Sequence, residues 1–147
     1  MRPRAVALGV VFRDGCVLVE EQSGRHSRGT GAYYRPIGGT IEYGEKSADT
    51  VVREFREEIG MAVTVIRYLA CIENIFMVDG QTGHEIVQVY AVEPVDKSLY
   101  SNDSFQVIEG NKATAAKWVP VEEFRTGKLV LYPDGLTETI TAAAEFS

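Results

Sequence analysis

Apolar residues recur along this chain with two different spacings, one typical of β-strands and one typical of helices. Two of the apolar runs are separated by Arg13-Asp14-Gly15, a sequence typical of the turn in a β-hairpin. A later pair of runs is separated by a turn around Asp79-Gly80. The segments predicted as strands are residues 5–12, 16–22, 63–78, 85–95 and 115–119.

Residues 47–59 instead carry apolar side chains at helical spacing. Val51 and Phe55 fall on one face of this predicted helix and form part of a buried stripe. Ser47 is the expected N-cap, and Gly60 stands where a left-handed residue commonly ends a helix. Two further helical segments are predicted at residues 121–125 and 135–146.

The remaining segments have no clear period. Residues 23–32 are rich in Gly, Ser, Arg and His, which favours an exposed loop, and residues 96–111 predict a loop or an irregular crossover. Strands combined with a few helices favour an α/β (α+β) fold in which a mixed β-sheet is sandwiched between helices. With no linker and no internal repeat, a single domain over residues 1–147 is expected.

The predicted helix concentrates acidic residues on the face opposite its apolar stripe. Glu54, Glu57 and Glu58 stand at i, i+3 and i+4, so they share one face and form a patch of bare negative charge. Like charges at this spacing destabilise a helix by about 0.2–0.5 kcal/mol per pair. Carboxylate oxygens are hard ligands that suit Mg²⁺, with Mn²⁺ as a close substitute. The alternative is a solvated face stitched by ion pairs such as Arg53 with Glu57.

Composition narrows the class of protein. The formal net charge of −6 argues against a general nucleic-acid-binding protein, which would usually have a basic surface. Cys16 and Cys71 both fall in apolar, strand-like runs, so buried and reduced thiols are expected. No apolar run is long enough to span a membrane and no leader-like segment opens the chain, so a cytoplasmic location is expected.

A glycine pair and a glutamate precede the acidic helix and a glycine follows it, an arrangement that resembles the box of the Nudix hydrolase family. That box has the pattern Gly-x5-Glu-x7-Arg-Glu-apolar-x-Glu-Glu-x-Gly-apolar. Every defined position is filled in register over residues 39–61, by Gly39, Glu45, Arg53, Glu54, Phe55, Glu57, Glu58, Gly60 and Met61. The resemblance implies a mixed sheet between helices and the hydrolysis of a diphosphate linked to a nucleoside or another group.

The same resemblance implies roles for the residues of the box. The metal ligands would be Glu54, Glu57 and Glu58, joined by the carbonyl oxygen of Gly38. Either Glu54 or Glu58 would act as the general base. Arg53 would orient the carboxylates through hydrogen bonds and take part in the catalytic site in that way. Glu45 would either support the metal site or brace the loop before the helix.

Substrate contacts are expected from the polar segment before the box. Arg28 and Arg35 supply cations near the place where phosphates must lie, with a solvated loop as the alternative. Alternation predicts that one of Tyr33 and Tyr34 is exposed and the other is in the core. Tyr34 is the expected substrate contact.

A further acidic contact is expected beyond the box, as in many members of the family. Glu85 and Glu109 are the candidates for it. The alternative for both is an ordinary surface glutamate.

The predicted activity is the metal-dependent hydrolysis of a diphosphate linkage in a nucleoside diphosphate derivative, such as a nucleotide sugar or a nucleoside triphosphate. Such a chain would have this small molecule as its partner, with no nucleic acid and no membrane, and both a monomer and a homodimer stay open. One alternative is a non-catalytic, nucleotide-sensing module of the same fold, which typically lacks box carboxylates that this chain keeps. Another is an isomerase acting on isopentenyl diphosphate, which needs a reactive Cys and Glu pair.

Overall fold

Two β-sheets with helices on both outer sides form the described part of the chain, residues 1–145 of a computed structural model. The strands are β1 (Arg4–Val10), β2 (Phe12–Arg13), β3 (Cys16–His26), β4 (Gly29–Arg35), β5 (Ile37–Thr40), β6 (Val63–Val78), β7 (Gln81–Pro94), β8 (Ser104–Glu109) and β9 (Lys112–Pro120). The helices are α1 (Ser47–Ile59), α2 (Val121–Arg125) and α3 (Leu136–Ala144), with a 3-10 turn at Lys97–Ser101.

The first sheet is mixed. Its order is β5-β1-β7-β6, in which β1 and β7 run parallel and the other two pairs run antiparallel. The second sheet has the order β2-β3-β9-β8, with β4 also paired to β3, and all of its pairs are antiparallel. The predicted α+β sandwich with a mixed sheet is therefore confirmed, and it contains a second sheet that the sequence did not predict.

Strand β1 is buried on both faces and separates two apolar cores. Val6 and Leu8 face the core that contains Leu136 of α3, whereas Ala7 faces the core that contains Phe55 of α1. A strand covered on both sides reads as a nearly continuous apolar run, which is what residues 5–12 show. The central position of β1 explains why helices lie on opposite sides of the sheets.

Helix α1 lies very close to β1. Val51 and Phe55 are both 0% exposed, as their helical spacing predicts. A Cβ atom at Gly9 of β1 would lie 2.5 Å from the Phe55 ring and 2.7 Å from Val51, so only glycine fits beneath the helix. At the C-terminal end Gly60 adopts φ 65°, which confirms the predicted left-handed cap.

Several predicted element boundaries are confirmed, and the predictions for two segments are wrong. Residues 23–32 form most of the β3–β4 hairpin, not a loop, because its polar side chains line a cleft or meet solvent and leave no apolar alternation to detect. Residues 96–111 contain the 3-10 turn and strand β8, which pairs with β9 as an edge strand. The last predicted helix ends at Ala144, and Phe146 lies outside the described residues.

Three smaller predictions are also corrected. Cys71 is exposed, because it lies on the outer face of β6, and Cys16 is half-buried. Ser47 does not cap α1, since its hydroxyl is hydrogen-bonded to the Tyr90 hydroxyl at 2.6 Å and Lys46 holds the N-cap position. Within residues 1–145, no helix is long and apolar enough to cross a membrane.

Replacement of Phe55 by alanine tests the packing of α1 on β1. Because the ring is fully buried, Phe55→Ala should lower the free energy of unfolding by about 3–5 kcal/mol, measured by denaturant titration. The control is Ile66→Ala on β6, where the side chain is 54% exposed and the change should stay within about 0.5 kcal/mol. Equal losses in the two variants would show that the buried face of α1 is assigned wrongly.

Candidate functional site

A cleft of about 760 Å³ opens between the β3–β4 hairpin, the β6–β7 hairpin and helix α1. Its volume is within the range typical of small-molecule sites. The acidic residues that line it are Glu20, Glu42, Glu54, Glu57, Glu58 and Glu109. The cationic and aromatic residues that line it are Arg4, Arg25, Arg35, His26, Tyr33, Phe76 and Tyr132. Groups able to bind cations and groups able to bind anions therefore face the same space.

Two glycines of β5 allow the acidic face of α1 to approach the sheet. A Cβ atom at Gly38 would lie 2.1 Å from the carbonyl oxygen of Ala7, so the strand pairing with β1 excludes a side chain there. A Cβ atom at Gly39 would lie 2.7–2.9 Å from the carboxyl group of Glu54. A side chain at Gly39 would therefore displace that carboxylate.

Arg53 connects the carboxylates of the site. Its guanidinium donates hydrogen bonds to Glu54 at 2.8 Å and to Glu57 at 3.1 Å. It also donates to the carbonyl oxygen of Thr40 at 3.1 Å, which ties α1 to the end of β5. The predicted orienting contacts of Arg53 are present in the structure, and the ion pair with Glu57 belongs to the same network.

Glu45 braces both the loop and Arg53. It accepts hydrogen bonds from Arg53 Nε at 2.8 Å and from the Thr50 hydroxyl at 2.6 Å, and one from the backbone N–H of Glu42 at 3.2 Å. The hydrogen bonds from Arg53, followed by the one from Thr50, lower the pKa of Glu45 to about 2. Of the two roles open for Glu45, the geometry favours bracing.

The three glutamates of α1 differ in exposure, so they do not form the uniform bare patch that their spacing suggests. Glu57 is 58% exposed in its side chain and Glu54 is 14% exposed, whereas Glu58 as a whole residue is 7% exposed. Burial, followed by the charges of the nearby Glu54, Glu109 and Glu20, raises the pKa of Glu58 to about 8. The backbone N–H of Gly38 opposes this shift through a hydrogen bond.

The carboxylate oxygens of the acidic face have the chemistry that a divalent cation prefers. Glu58 Oε2 is buried without a hydrogen-bond partner among the described residues, a costly arrangement that a cation would relieve. Arg53 holds Glu54 and Glu57, and as the side chains of residues 1–145 lie, no three acidic, His or Cys groups converge on one point. Ligation by all three glutamates of α1, with the Gly38 carbonyl, therefore stays a prediction.

Arg35 lies in the cleft, and a buried carboxylate holds it there. Glu85 is 4% exposed and accepts from Arg35 at 3.2 Å and from Arg4 at 3.4 Å. Asn74 donates to the same carboxylate at 3.4 Å. Glu85 thus holds Arg35 in position. Because Glu85 is buried and does not line the cleft, it does not make the direct substrate contact that was predicted.

The structure places the other two predicted substrate contacts away from the cleft. Tyr34 is 4% exposed, packs against Phe124 in the core and donates its hydroxyl proton to Glu21. Its neighbour Tyr33 lines the cleft, so the alternation is confirmed but the choice of Tyr34 is wrong. The guanidinium of Arg28 pairs with Asp134 on the surface.

Glu20 and Arg4 also line the cleft, although the sequence did not predict them as members of the site. Glu20 is a charged residue at the end of a predicted apolar strand and is 5% exposed, which is a detectable signal. Arg4 carries no such signal, because its place beside Glu85 follows from the parallel pairing of β1 with β7. Glu109, which was one of two acidic candidates, does line the cleft.

Comparison with known proteins agrees with this geometry. The NUDIX domain profile matches residues 1–139. In sequence, the chain is 33% identical over 85 residues to mutator protein MutT4 of Mycobacterium tuberculosis (strain CDC 1551 / Oshkosh), a match that covers 58% of this chain. The matched region is 32% of that relative, so the chain spans about a third of its length.

Solved structures share the fold. The MutT NUDIX hydrolase from Burkholderia pseudomallei superposes with a TM-score of 0.62 at 22% identity, covering 83% of this chain and 86% of that one. The E. coli ORF135 protein superposes with a TM-score of 0.62 at 25% identity, covering 97% of this chain and 91% of that one. The fold and the complete box define the class of the Nudix hydrolases. This chain belongs to the NUDIX family.

The raised pKa of Glu58 predicts how the stability of the metal-free protein depends on pH. The folded state holds a proton on Glu58 up to about pH 8, whereas the unfolded chain releases it near pH 4.5. The melting temperature in excess chelator should therefore fall as pH rises from 4.5 to 8. Added Mg²⁺, which favours the ionised carboxylate, should raise the melting temperature most at the high-pH end.

Two variants check the assignment to Glu58. Glu58→Gln should remove much of this fall, because the amide does not titrate. Glu138→Gln on the exposed side of α3 keeps Glu58 and should keep the fall. A steeper loss of stability at alkaline pH in Glu58→Gln than in the parent would contradict the assignment.

Proposed function

We propose that this chain hydrolyses the diphosphate linkage of a nucleoside diphosphate derivative with the help of Mg²⁺ or Mn²⁺. Water attacks one phosphorus of the linkage, the bridging oxygen leaves with the other phosphate, and the attacking water loses a proton. The products are a nucleoside monophosphate and the phosphorylated second group. Nucleotide sugars and nucleoside triphosphates both belong to this class of substrate.

The observation that carries the proposal is a buried oxygen of Glu58 that has no hydrogen-bond partner within residues 1–145. It belongs to an acidic cluster in the same cleft as several arginines. Isolated carboxylates of this kind are normally neutralised, paired or bound to a metal. A diphosphate is a polyanion, so it can approach such a cluster only through a cation. The arginines on the facing wall supply the remaining positive charge that a diphosphate requires.

Different residues would bind the cation, accept the proton and position the carboxylates. Glu54, Glu57 and Glu58 would hold the cation, with the Gly38 carbonyl as a further oxygen ligand. The bound cation would withdraw charge from the phosphate oxygens and lower the pKa of a water molecule. Either Glu54 or Glu58 accepts the proton of the attacking water. Arg53 fixes the carboxylates in position and does not contact the substrate.

The phosphate oxygens themselves are bound by Arg35 and Arg4 in this proposal. Two guanidinium groups share the single carboxylate of Glu85, so the cluster keeps a net positive charge. The Arg35 side chain is 25% exposed, which leaves part of its fork available to the cleft. Arginine binds phosphate oxygens through two parallel hydrogen bonds, and a guanidinium already held in place loses less entropy on binding.

Removal of one box carboxylate tests the role of the metal site. Glu57→Gln and Glu58→Gln should each lower kcat by about 100- to 1,000-fold, since several kcal/mol of charge stabilisation would be lost. The measurement is phosphate release from a panel of nucleotide derivatives, coupled to a phosphatase where the product requires it. Excess chelator should abolish the activity of the parent.

The same panel separates the alternatives. Glu138→Gln changes the same functional group on α3 and should keep the parental activity. Full turnover in chelator, with the fold intact, would exclude metal-dependent hydrolysis. A parent that binds nucleotides tightly but releases no product with either metal would favour the sensing module instead.

Replacement of Arg35 tests the phosphate contact, and replacement of Arg28, an arginine outside the cleft, is the matched control. Arg35→Ala should raise KM by about 10- to 100-fold with a smaller change in kcat, as expected for lost charged hydrogen bonds in the ground state. Arg28→Ala should keep the parental KM, because Arg28 pairs with Asp134 outside the cleft. Steady-state kinetics of both variants, with melting temperatures recorded, give the answer. A parental KM in Arg35→Ala would place phosphate recognition elsewhere.

A further inference from the structure

The part of the cleft beyond the glutamates and arginines is lined by rings. On one wall His26, Tyr33 and Tyr132 come from the β3–β4 hairpin and the segment before α3. On the other wall Phe76 and Val78 come from β6. The polar chemistry of the diphosphate site therefore gives way to flat, apolar surfaces within one continuous cleft.

The first wall is held in one arrangement by contacts among its own rings. The centroids of His26 and Tyr33 are 5.0 Å apart, and Tyr33 lies edge-on to Tyr132 at 5.7 Å. The Tyr132 hydroxyl lies 2.7 Å from His26 Nδ1 and accepts from the Ser27 hydroxyl at 2.9 Å. A wall fixed in this way loses little conformational entropy when a ligand binds.

The second wall is fixed by a glycine. Phe76 lies directly over Gly83 of β7, where a Cβ atom would come within 2.2 Å of the ring. Its neighbours Ile75 and Met77 point to the opposite side of β6 and are 64% and 57% exposed. The ring of Phe76 thus covers the strand backbone on the cleft side, and alternation along β6 supplies two matched control positions.

A polar side chain lies between the diphosphate site and the rings. Glu20 and Gln22 point to the same face of β3 and both line the cleft, about 7 Å apart along the strand. The hydroxyl of Tyr33 donates to Gln22 Oε1 at 2.9 Å, which leaves the amide N–H groups to donate elsewhere. The uncharged amide of Gln22 can therefore donate a hydrogen bond to an acceptor atom on the edge of a ligand ring.

The far end of the ring-lined part is bounded. Arg25 and Asp79 form an ion pair at 2.6 Å between the tips of the two hairpins. The charge of Arg25 is thus matched by a carboxylate of its own, whereas Arg35 and Arg4 share the single carboxylate of Glu85. Among the described residues that line this end of the cleft, no arginine or lysine is left unpaired.

We propose that the nucleobase of the substrate inserts between Tyr33 and Phe76, with Gln22 donating to its edge. This inference rests on the proposed function, since it names the part of the same cleft that takes the nucleoside. Stacking on aromatic side chains tolerates any base, because every base has a π-face, and one neutral donor adds only a modest preference. The second group of the substrate then lies on the solvent side of the glutamates.

Binding of simple products tests the base site without any turnover. The probes are AMP, UMP and ribose 5-phosphate, followed by saturation-transfer NMR with and without Mg²⁺. In the parent, base protons should receive the strongest saturation. Phe76→Ala should raise the Kd of AMP and UMP by about tenfold, which is typical for one lost stacking partner. The Kd of ribose 5-phosphate should be the same in parent and variant.

Matched variants separate stacking from a folding effect. Met77→Ala, on the other face of the same strand, should keep the parental Kd for all three probes, and Phe76→Trp should bind AMP at least as well as the parent. An unchanged Kd in Phe76→Ala, equal losses for ribose 5-phosphate, or no binding of either nucleotide by the parent would overturn the proposal. If nucleotides bind through their bases but no diphosphate is hydrolysed, the base site stands and the proposed reaction fails.

Discussion

The close packing of α1 on β1 is the constraint on which the site depends. One side of the helix must bury Val51 and Phe55 over Gly9, and this fixes the rotation and the height of the helix above the sheet. Once that rotation is fixed, Glu54, Glu57 and Glu58 face the cleft. Gly39 then has to lack a side chain, because the Glu54 carboxylate occupies the space beside it.

This packing puts negative charge where water cannot fully solvate it. Arg53 offsets part of the resulting free-energy penalty, since it bonds to Glu54, Glu57 and Glu45 at the same time. Glu58 lies beyond its reach, and its buried oxygen has no partner among residues 1–145. The fold thus stabilises most of the acidic cluster internally and leaves one buried carboxylate oxygen without such stabilisation. A local cost of this kind, kept within an otherwise well-packed core, is common at functional sites.

The helix and its box could be predicted because their information is local. Helical spacing, the glycine at the end of α1 and the glutamate positions all lie within residues 38–61, and the structure agrees on the bounds of α1. The β3–β4 hairpin could not be predicted in the same way, since its cleft-facing residues are polar and hide the alternation of the strands. The pairing of Arg4 with Glu85 joins residues far apart in the chain, through a parallel strand pair that no local pattern reveals.

Two different physical reasons explain why Tyr34 and Arg28 lie outside the cleft. Arg28 lies in the turn between β3 and β4 and pairs with Asp134. Tyr34 lies on a strand, where side chains alternate between the two faces, so chemical type alone does not tell which of them reach the cleft. On β4, parity directs Tyr33 and Arg35 into the cleft and Tyr34 into the core. On β3, parity brings Glu20 and Gln22 to the same face as these two residues. Glu20 lies opposite Arg35, and Gln22 lies opposite Tyr33 two residues further along the hairpin. The charged pair is therefore followed by a polar and aromatic pair on one face of a single hairpin, in the order in which the proposed substrate would present its phosphates and its base.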